Sequence, residues 1–131
     1  MLAYFISFFA LAALSASDAG SAGRAPLTTV EKVDLERYAG RWYEIARYPN
    51  RFQRDCASDT TADYTLLKNG RVGVVNTCRK KDGKIKQADG KAKVVAASNA
   101  RLKVTFFWPF YGDYWIIGLD RDYRWGVVGE P

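Results

Sequence analysis

The side chains of this 131-residue chain with the most chemical potential are its two cysteines, Cys56 and Cys78. A cysteine nucleophile needs a neighbouring base to form the thiolate, and the sequence contains no histidine that could serve as one. The same absence excludes Ser-His-Asp triads, histidine-held haem and zinc sites of the usual kind. A thiol activated by some other base remains the alternative to a disulfide.

The carboxylates give no stronger indication of catalysis. Glu44, Asp55, Asp59 and Asp63 are not spaced in a way that predicts a paired acid and base. We therefore predict a protein that is not an enzyme, with no catalytic residue, no metal and no cofactor.

The first residues read as an export signal. An apolar run from Leu2 to Leu14 is followed by small residues, which is the order of a secretory leader, and the run is too short for a typical membrane span. No Lys or Arg precedes Arg24, so the usual positive start is missing, and an uncleaved anchor is the alternative. We assign residues 1–22 to a signal-like leader and 23–32 to a linker.

Export bears on the cysteines, because secreted chains meet an oxidising compartment. An even pair in such a chain predicts a disulfide between Cys56 and Cys78. In the chain-entropy model, closing a loop of this length stabilises the fold by about 3 kcal/mol.

Past Pro49 the chain alternates short apolar runs with turn signals such as Lys68-Asn69-Gly70 and Lys81-Asp82-Gly83. This pattern favours an all-β, up-and-down antiparallel sheet in one domain. Seven strands are predicted: Arg41–Tyr48, Thr60–Leu67, Val72–Arg79, Lys84–Val95, Arg101–Phe107, Asp113–Leu119 and Tyr123–Val128.

Three segments carry a family resemblance: GRWYEIARYPNRFQRDC, TADYTLLKNGRVGVVNTCR and FFWPFYGDYWIIGLDRDYRWGVVGEP. Over residues 33–131 the chain resembles the lipocalin family, and most of all the bacterial outer-membrane lipocalins. The first family signature matches through Gly40, Trp42 and Tyr43, and the second through Asp122 and Tyr123. The resemblance implies a calyx-shaped barrel that binds a small hydrophobic ligand.

A third family signature, an arginine at the end of an eighth strand that packs over the first-signature tryptophan, is not found before Pro131. We therefore expect residues 33–131 to be a C-terminally truncated lipocalin domain with seven of the usual eight strands. An open seam along Arg41–Tyr48 would favour dimerisation through this edge. Family members often carry a lipidated cysteine after the leader, and none is visible here.

Strand alternation indicates which side chains line the barrel, because successive residues point to opposite faces. Apolar residues alternate with polar ones in most strands, and in the sixth strand the resemblance decides between the two rows, in favour of Tyr114, Ile116 and Gly118. The predicted ligand-binding set is Ala62, Tyr64, Leu66, Val72, Val74, Asn76, Leu102, Val104, Phe106, Tyr114 and Ile116.

An apolar lining with a few hydroxyls and one amide suits a hydrocarbon tail with a polar head. We expect a fatty acid or a lysophospholipid, carried or stored in the periplasm or at the outer membrane. The alternatives are a non-binding envelope or membrane-surface protein, or a truncated, inactive lipocalin.

The sequence also contains a basic segment and an aromatic run. Residues 79–93 hold seven basic and two acidic residues, a local charge of +5, and the run Phe106 to Tyr111 is almost wholly aromatic. The basic residues either contact anionic lipid or keep a solvated strand edge from pairing, and the aromatic run is either an exposed patch or hairpin packing. No nucleic-acid partner is expected, because no helix-turn-helix or zinc pattern is present.

Overall fold

The structure, a computed structural model, describes the backbone of residues 2–6 and all of residues 23–131. The rest of the predicted leader, residues 7–22, lies outside the described residues. The described elements are β1 (Leu2–Ile6), α1 (Leu35–Tyr38), β2 (Gly40–Arg47), β3 (Cys56–Leu66), β4 (Arg71–Lys80), β5 (Ile85–Val94), β6 (Arg101–Phe107), β7 (Phe110–Leu119) and β8 (Trp125–Gly129).

The strands β2 to β8 pair consecutively and antiparallel, which confirms the predicted all-β, up-and-down architecture and its seven strands. Three strands are longer than predicted, and β4 gains one residue at each end. The β3 strand begins at Cys56 rather than Thr60, because two irregularities in its register with β4 carry the pairing past the expected start. The β7 strand begins at Phe110 rather than Asp113, where Phe110 pairs with Phe107.

The seam between β2 and β8 contains β1, which was not expected as a strand. Its residues pair in parallel with Tyr43–Arg47 on one side and with Trp125–Gly129 on the other, which closes the ring. Dimerisation was expected through an unpaired edge at this seam, and the structure does not support that expectation because the edge is paired. The division of the chain into leader, linker and domain remains a prediction.

One end of the barrel is covered by the segment before β2. The Val30 N–H donates to the Ile116 carbonyl (3.0 Å), and the Val33 N–H donates to the Ser98 carbonyl (2.8 Å). These bonds draw the segment across the barrel, where the Asp34 side chain caps the short helix α1. Gly40 then turns the chain into β2 with a φ of 108°, a conformation in which a side chain would be strained.

The core lies at this covered end. Trp42 is fully buried there, and its indole N–H donates to the Tyr38 carbonyl at 2.7 Å. The aromatic residue two positions into β2 therefore plugs the barrel. Among the described residues, no helix is long and apolar enough to cross a membrane.

The predicted disulfide between Cys56 and Cys78 is confirmed, with the two Cα atoms 5.6 Å apart. It joins the start of β3 to β4 near the end of the barrel opposite Trp42. Both cysteines that could have served as a nucleophile are thus oxidised to the disulfide.

Removing the disulfide should lower the free energy of unfolding. We expect Cys56→Ala/Cys78→Ala to lose about 3 kcal/mol, because the unfolded chain regains the entropy of a loop closed over a separation of 22 residues. Urea unfolding followed by circular dichroism measures the loss. Reductant should lower the stability of the parent chain equally and leave the double variant unchanged; a double variant as stable as its parent contradicts the expectation.

Gly90 of β5 lies in close contact with its neighbours. A Cβ built there lies 2.7 Å from two ring carbons of Phe106 and 2.7 Å from the Thr105 carbonyl oxygen, whereas a Cβ at Gly112 meets no atom within 4 Å. We expect Gly90→Ala to lower the free energy of unfolding by about 1–3 kcal/mol, since backbone and ring must both shift. Gly112→Ala is the matched control and should stay close to the parent in the same urea experiment; equal effects of the two changes would refute the expected clash.

Candidate functional site

The interior of the barrel near Trp42 is almost filled by its own side chains. A cavity of about 20 Å³ remains, which is room for about one water molecule. Seven predicted ligand-binding residues line it: Tyr64, Leu66, Val72, Leu102, Val104, Tyr114 and Ile116. Four residues outside the prediction join them: Leu35, Tyr38, Ala39 and Ala92.

The other four predicted residues lie on the same inward face. Ala62 pairs with Asn76, and Val74 pairs with Tyr64, so these three continue the inner wall of β3 and β4. Ala62 and Val74 are buried and Asn76 is partly exposed. Phe106 packs over Gly90 and leaves 43% of its surface exposed, so it lies farther from the covered end.

Three tyrosines form the floor of this interior. The Tyr114 hydroxyl is hydrogen-bonded to those of Tyr38 (2.7 Å) and Tyr64 (2.8 Å). The ring of Tyr38 lies 4.8 Å from that of Trp42 and 5.6 Å from that of Tyr64. The floor is therefore a polar cluster enclosed by apolar side chains, and we name Tyr38, Tyr64 and Tyr114 the tyrosine floor.

Burial changes the acidity of the tyrosine floor. Desolvation disfavours the phenolate and raises the pKa of Tyr38, Tyr64 and Tyr114 above the usual tyrosine range. The neighbouring Tyr64 further raises the pKa of Tyr38, and Tyr38 further raises that of Tyr114. All three hydroxyls are neutral near pH 7 and can both donate and accept hydrogen bonds.

The interior farther from Trp42 is more open. Gly112 faces inward opposite Val104, and no atom lies within 4 Å of a Cβ added there. Ala88, opposite Asn76, is another small inward residue, whereas the inward side of Gly90 is occupied by the Phe106 ring. We name the region above the tyrosine floor, which is open to solvent at Gly112, the upper chamber.

A buried carboxylate group on the inner wall was missed by the sequence reasoning. Glu44 is two residues after Trp42 and so shares its face of β2; only 4% of its side chain is exposed. Its two oxygens accept hydrogen bonds from Arg47 and from the Gln53 side chain (3.1 Å). The alternation that predicted the wall of the other strands could have found this residue.

The mouth of the barrel is the end opposite Trp42. Lys86 reaches from β5 to the segment between β2 and β3, where its Nζ donates to the Phe52 carbonyl (3.1 Å) and to Asp55 Oδ1 (2.7 Å). The hydrogen bond from Lys86 lowers the pKa of Asp55. With the nearby disulfide, this contact holds the β2–β3 segment against the rim.

The signature residues lie at the covered end rather than at the mouth. Tyr123, in a left-handed conformation with φ 58°, accepts a hydrogen bond from the Asp34 N–H (2.9 Å), and the Arg37 guanidinium stacks on its ring at 4.2 Å. Asp122 and Tyr43 are exposed. Tyr123 thus fastens the β7–β8 turn to the start of α1, which is a structural role.

The assignment of Gly118 to the inner face is wrong. The register shifts between Ile116 and Gly118, so that Gly118 contacts Val127 and Leu119 packs against the core instead. An extra residue in one strand reverses the face of every position beyond it, which alternation alone cannot reveal. In the part of the chain that the structure describes, no cluster of three potential metal ligands is found.

The tyrosine floor predicts loss of stability in alkali. Because its folded pKa values lie above the unfolded value of about 10, the folded chain holds more protons than the unfolded chain above that pH. Stability should be complete below about pH 10 and fall as the pH rises beyond it. Ultraviolet titration should find three of the eight tyrosines ionising only together with loss of the circular dichroism signal; eight tyrosines ionising before unfolding would contradict this.

Comparison with known proteins agrees with this geometry. Residues 33–131 match the family model of the lipocalin-like domain. The chain is 45% identical over 107 residues to outer membrane lipoprotein Blc of Escherichia coli K12, covering 80% of this chain and 60% of that protein. It is 36% identical over 118 residues to temperature-induced lipocalin-1 of Arabidopsis thaliana, covering 80% and 61%.

A solved structure gives the same fold. The cockroach allergen Per a 4 superposes with a TM-score of 0.55 at 23% identity, over 72% of this chain and 58% of the allergen. The chain spans about three fifths of the length of the curated relatives it matches. From the match over residues 33–131 and the identity to these relatives, the chain belongs to the lipocalin family.

Proposed function

We propose that this chain binds a single-chain amphiphile, a fatty acid or a lysophospholipid, with its hydrocarbon tail in the upper chamber. The proposal rests on inward apolar residues of neighbouring strands, Val74, Val104 and Phe106, and on the open position at Gly112. Each tail methylene moved from water onto such a wall gains about 0.8 kcal/mol. A barrel of about eight strands has room for one small ligand.

The charges of the barrel set the orientation of the ligand. The tyrosine floor is buried and offers only neutral hydroxyls, so an anionic head placed there would lose its water without meeting a cation. The mouth instead offers Lys86, Arg51 and Arg54. We therefore propose that the tail points toward the tyrosine floor and that a carboxylate or phosphate head stays at the mouth.

Asn76 supplies a polar group between these two regions. It lies on the inner wall at the height of Ala62 and Ala88, where the neighbouring side chains are small. Its amide can hydrogen-bond an ester or hydroxyl oxygen between tail and head, which favours a lysophospholipid among single-chain ligands.

The proposal is for binding without catalysis. Cys56 and Cys78 are joined to each other, so neither is available as a nucleophile. The tyrosine floor has raised pKa values and thus little phenolate near neutral pH. A carrier needs inward apolar side chains and an open end of the barrel, and the described residues include both.

We also propose that the chain acts in the cell envelope. Three observations support this location: the apolar leader-like run, the disulfide, and the printed name of the Escherichia coli relative, an outer membrane lipoprotein. Binding there would serve transport or storage of the ligand.

Native mass spectrometry of the refolded full chain tests the ligand proposal. Titration with palmitate and with a palmitoyl lysophospholipid should give a complex with one ligand per chain. Hexadecanol has the same tail without charge and should bind more weakly, because it makes no ion pair with the mouth. A chain that takes up none of the three contradicts the proposal and favours a non-binding or inactive lipocalin.

Filling the upper chamber should abolish binding without unfolding the chain. Gly112→Phe places a ring in the space that a Cβ enters freely, and we expect affinity for palmitate to fall about tenfold or more. Thr65→Phe is the matched control, because Thr65 is exposed on the outer face of β3. Equal affinities of the two folded variants would place the ligand outside the upper chamber.

A further inference from the structure

Three connections lie together at the mouth: residues 48–55 between β2 and β3, residues 81–84 between β4 and β5, and residues 108–109 between β6 and β7. In an up-and-down barrel every second connection is at the same end. We name these connections, with the strand residues next to them, the mouth loops. The opposite end is covered by α1 and by the segment that contains Val30 and Val33.

The mouth loops expose large aromatic side chains to solvent. Phe52, Phe107, Trp108 and Phe110 each leave between 74 and 81% of their surface exposed. At the covered end the large apolar residues Leu67, Val95 and Trp125 are only 40–47% exposed. Soluble monomers rarely present a cluster of this kind unless it contacts something apolar.

The same loops are basic. Residues 49–55 and 80–86 together contain six basic and two acidic residues, a net charge of +4. Both acidic residues are already engaged, Asp55 with Lys86 and Asp82 with Lys80. Nearby on the outer face of the sheet, Lys93 lies 4.4 Å from the ring centre of Tyr111. The Arg51 guanidinium lies 5.7 Å from the ring centre of Phe52, so exposed rings and basic side chains share this end of the barrel.

We propose that the mouth loops dock on an anionic lipid bilayer. Aromatic rings settle at the level of the headgroups, where lysine and arginine side chains reach the lipid phosphates while their stems remain in apolar contact. The basic side chains favour a negatively charged surface, and the exposed aromatic side chains insert at the level of the headgroups. Docked in this way, the mouth of the barrel faces the membrane.

Other occupants fit this surface less well. A second copy would bring two faces of charge +4 together, which costs binding energy. Protein interfaces in general are depleted in lysine at their cores, whereas Lys80, Lys81 and Lys84 lie in one turn here. A bilayer of negative charge satisfies both the rings and the lysines.

Vesicle binding of the full chain tests the proposal. Vesicles of phosphatidylcholine alone are compared with vesicles of equal parts phosphatidylcholine and phosphatidylglycerol, by cosedimentation. We expect Phe107→Ser/Trp108→Ser/Phe110→Ser to reduce partitioning into the anionic vesicles about tenfold or more. Leu67→Ser/Val95→Ser/Trp125→Ser, at the covered end, is the matched control and should partition like the parent. The urea midpoints of both triple variants should show that they are folded.

Charge and position need separate measurements. Lys81→Glu/Lys84→Glu should weaken binding to anionic vesicles, and Lys68→Glu in the turn at the covered end should change it less. Brominated phosphatidylcholine quenches only tryptophans near the acyl chains, so Trp108→Phe should remove most of the quenching. Every variant contains residues 1–22, so differences among them report the mouth loops.

Three results would overturn the proposal. The first is that the covered-end variants weaken binding as much as the mouth variants. The second is that the quenching persists in Trp108→Phe, and the third is that neutral vesicles bind the chain as well as anionic ones. Sedimentation velocity provides the remaining comparison: a dimer that the mouth variant dissociates would identify a second copy as the occupant instead of lipid.

Discussion

Burial of Trp42 is the interaction on which the rest of the barrel depends. Its ring fills the covered end, its indole N–H donates to the Tyr38 carbonyl, and it lies against Gly126 of β8. Because an indole buries a large apolar area, the segment before β2 gains a stable surface to cross. The Tyr123 hydroxyl accepts a hydrogen bond from the Asp34 N–H in that segment. Through this bond the turn before β8 is joined to the segment before β2.

Because one end is plugged, the barrel is a cup whose polarity and charge change along its axis. The tyrosine floor is buried and neutral, the interior above it includes small residues such as Ala88 and Gly112, and the mouth is basic. The disulfide and the Lys86 contact both hold the β2–β3 segment at the rim. Both contacts therefore restrain the β2–β3 segment beside the opening.

The sequence allowed the inner wall of β3 and β6 to be predicted because polar and apolar residues alternate there, whereas in β4 both rows of residues are partly apolar. Alternation failed at Gly118, where a register shift reverses the faces, and Glu44 was overlooked because a carboxylate on the face of Trp42 contradicts an apolar pattern. Tyr38 lies in a helical turn, so strand periodicity says nothing of its direction. The pairing of Leu2–Ile6 was equally inaccessible, since an apolar run has no phase that distinguishes a leader from a buried strand.

The two faces of each strand have separate duties, and this division has a consequence for how such a cup can diversify. Outside, ion pairs such as Arg41–Asp63 and Lys103–Asp113 join neighbouring strands, while the backbone ladder itself is indifferent to side-chain identity. Inside, Ala88 is a small inward residue, and no atom lies within 4 Å of a Cβ added at Gly112. Exchanging small residues at these inward positions would reshape the cargo space one side chain at a time, and the scaffold would keep its outer bonds throughout. Selectivity and folding can therefore change independently over generations of substitution.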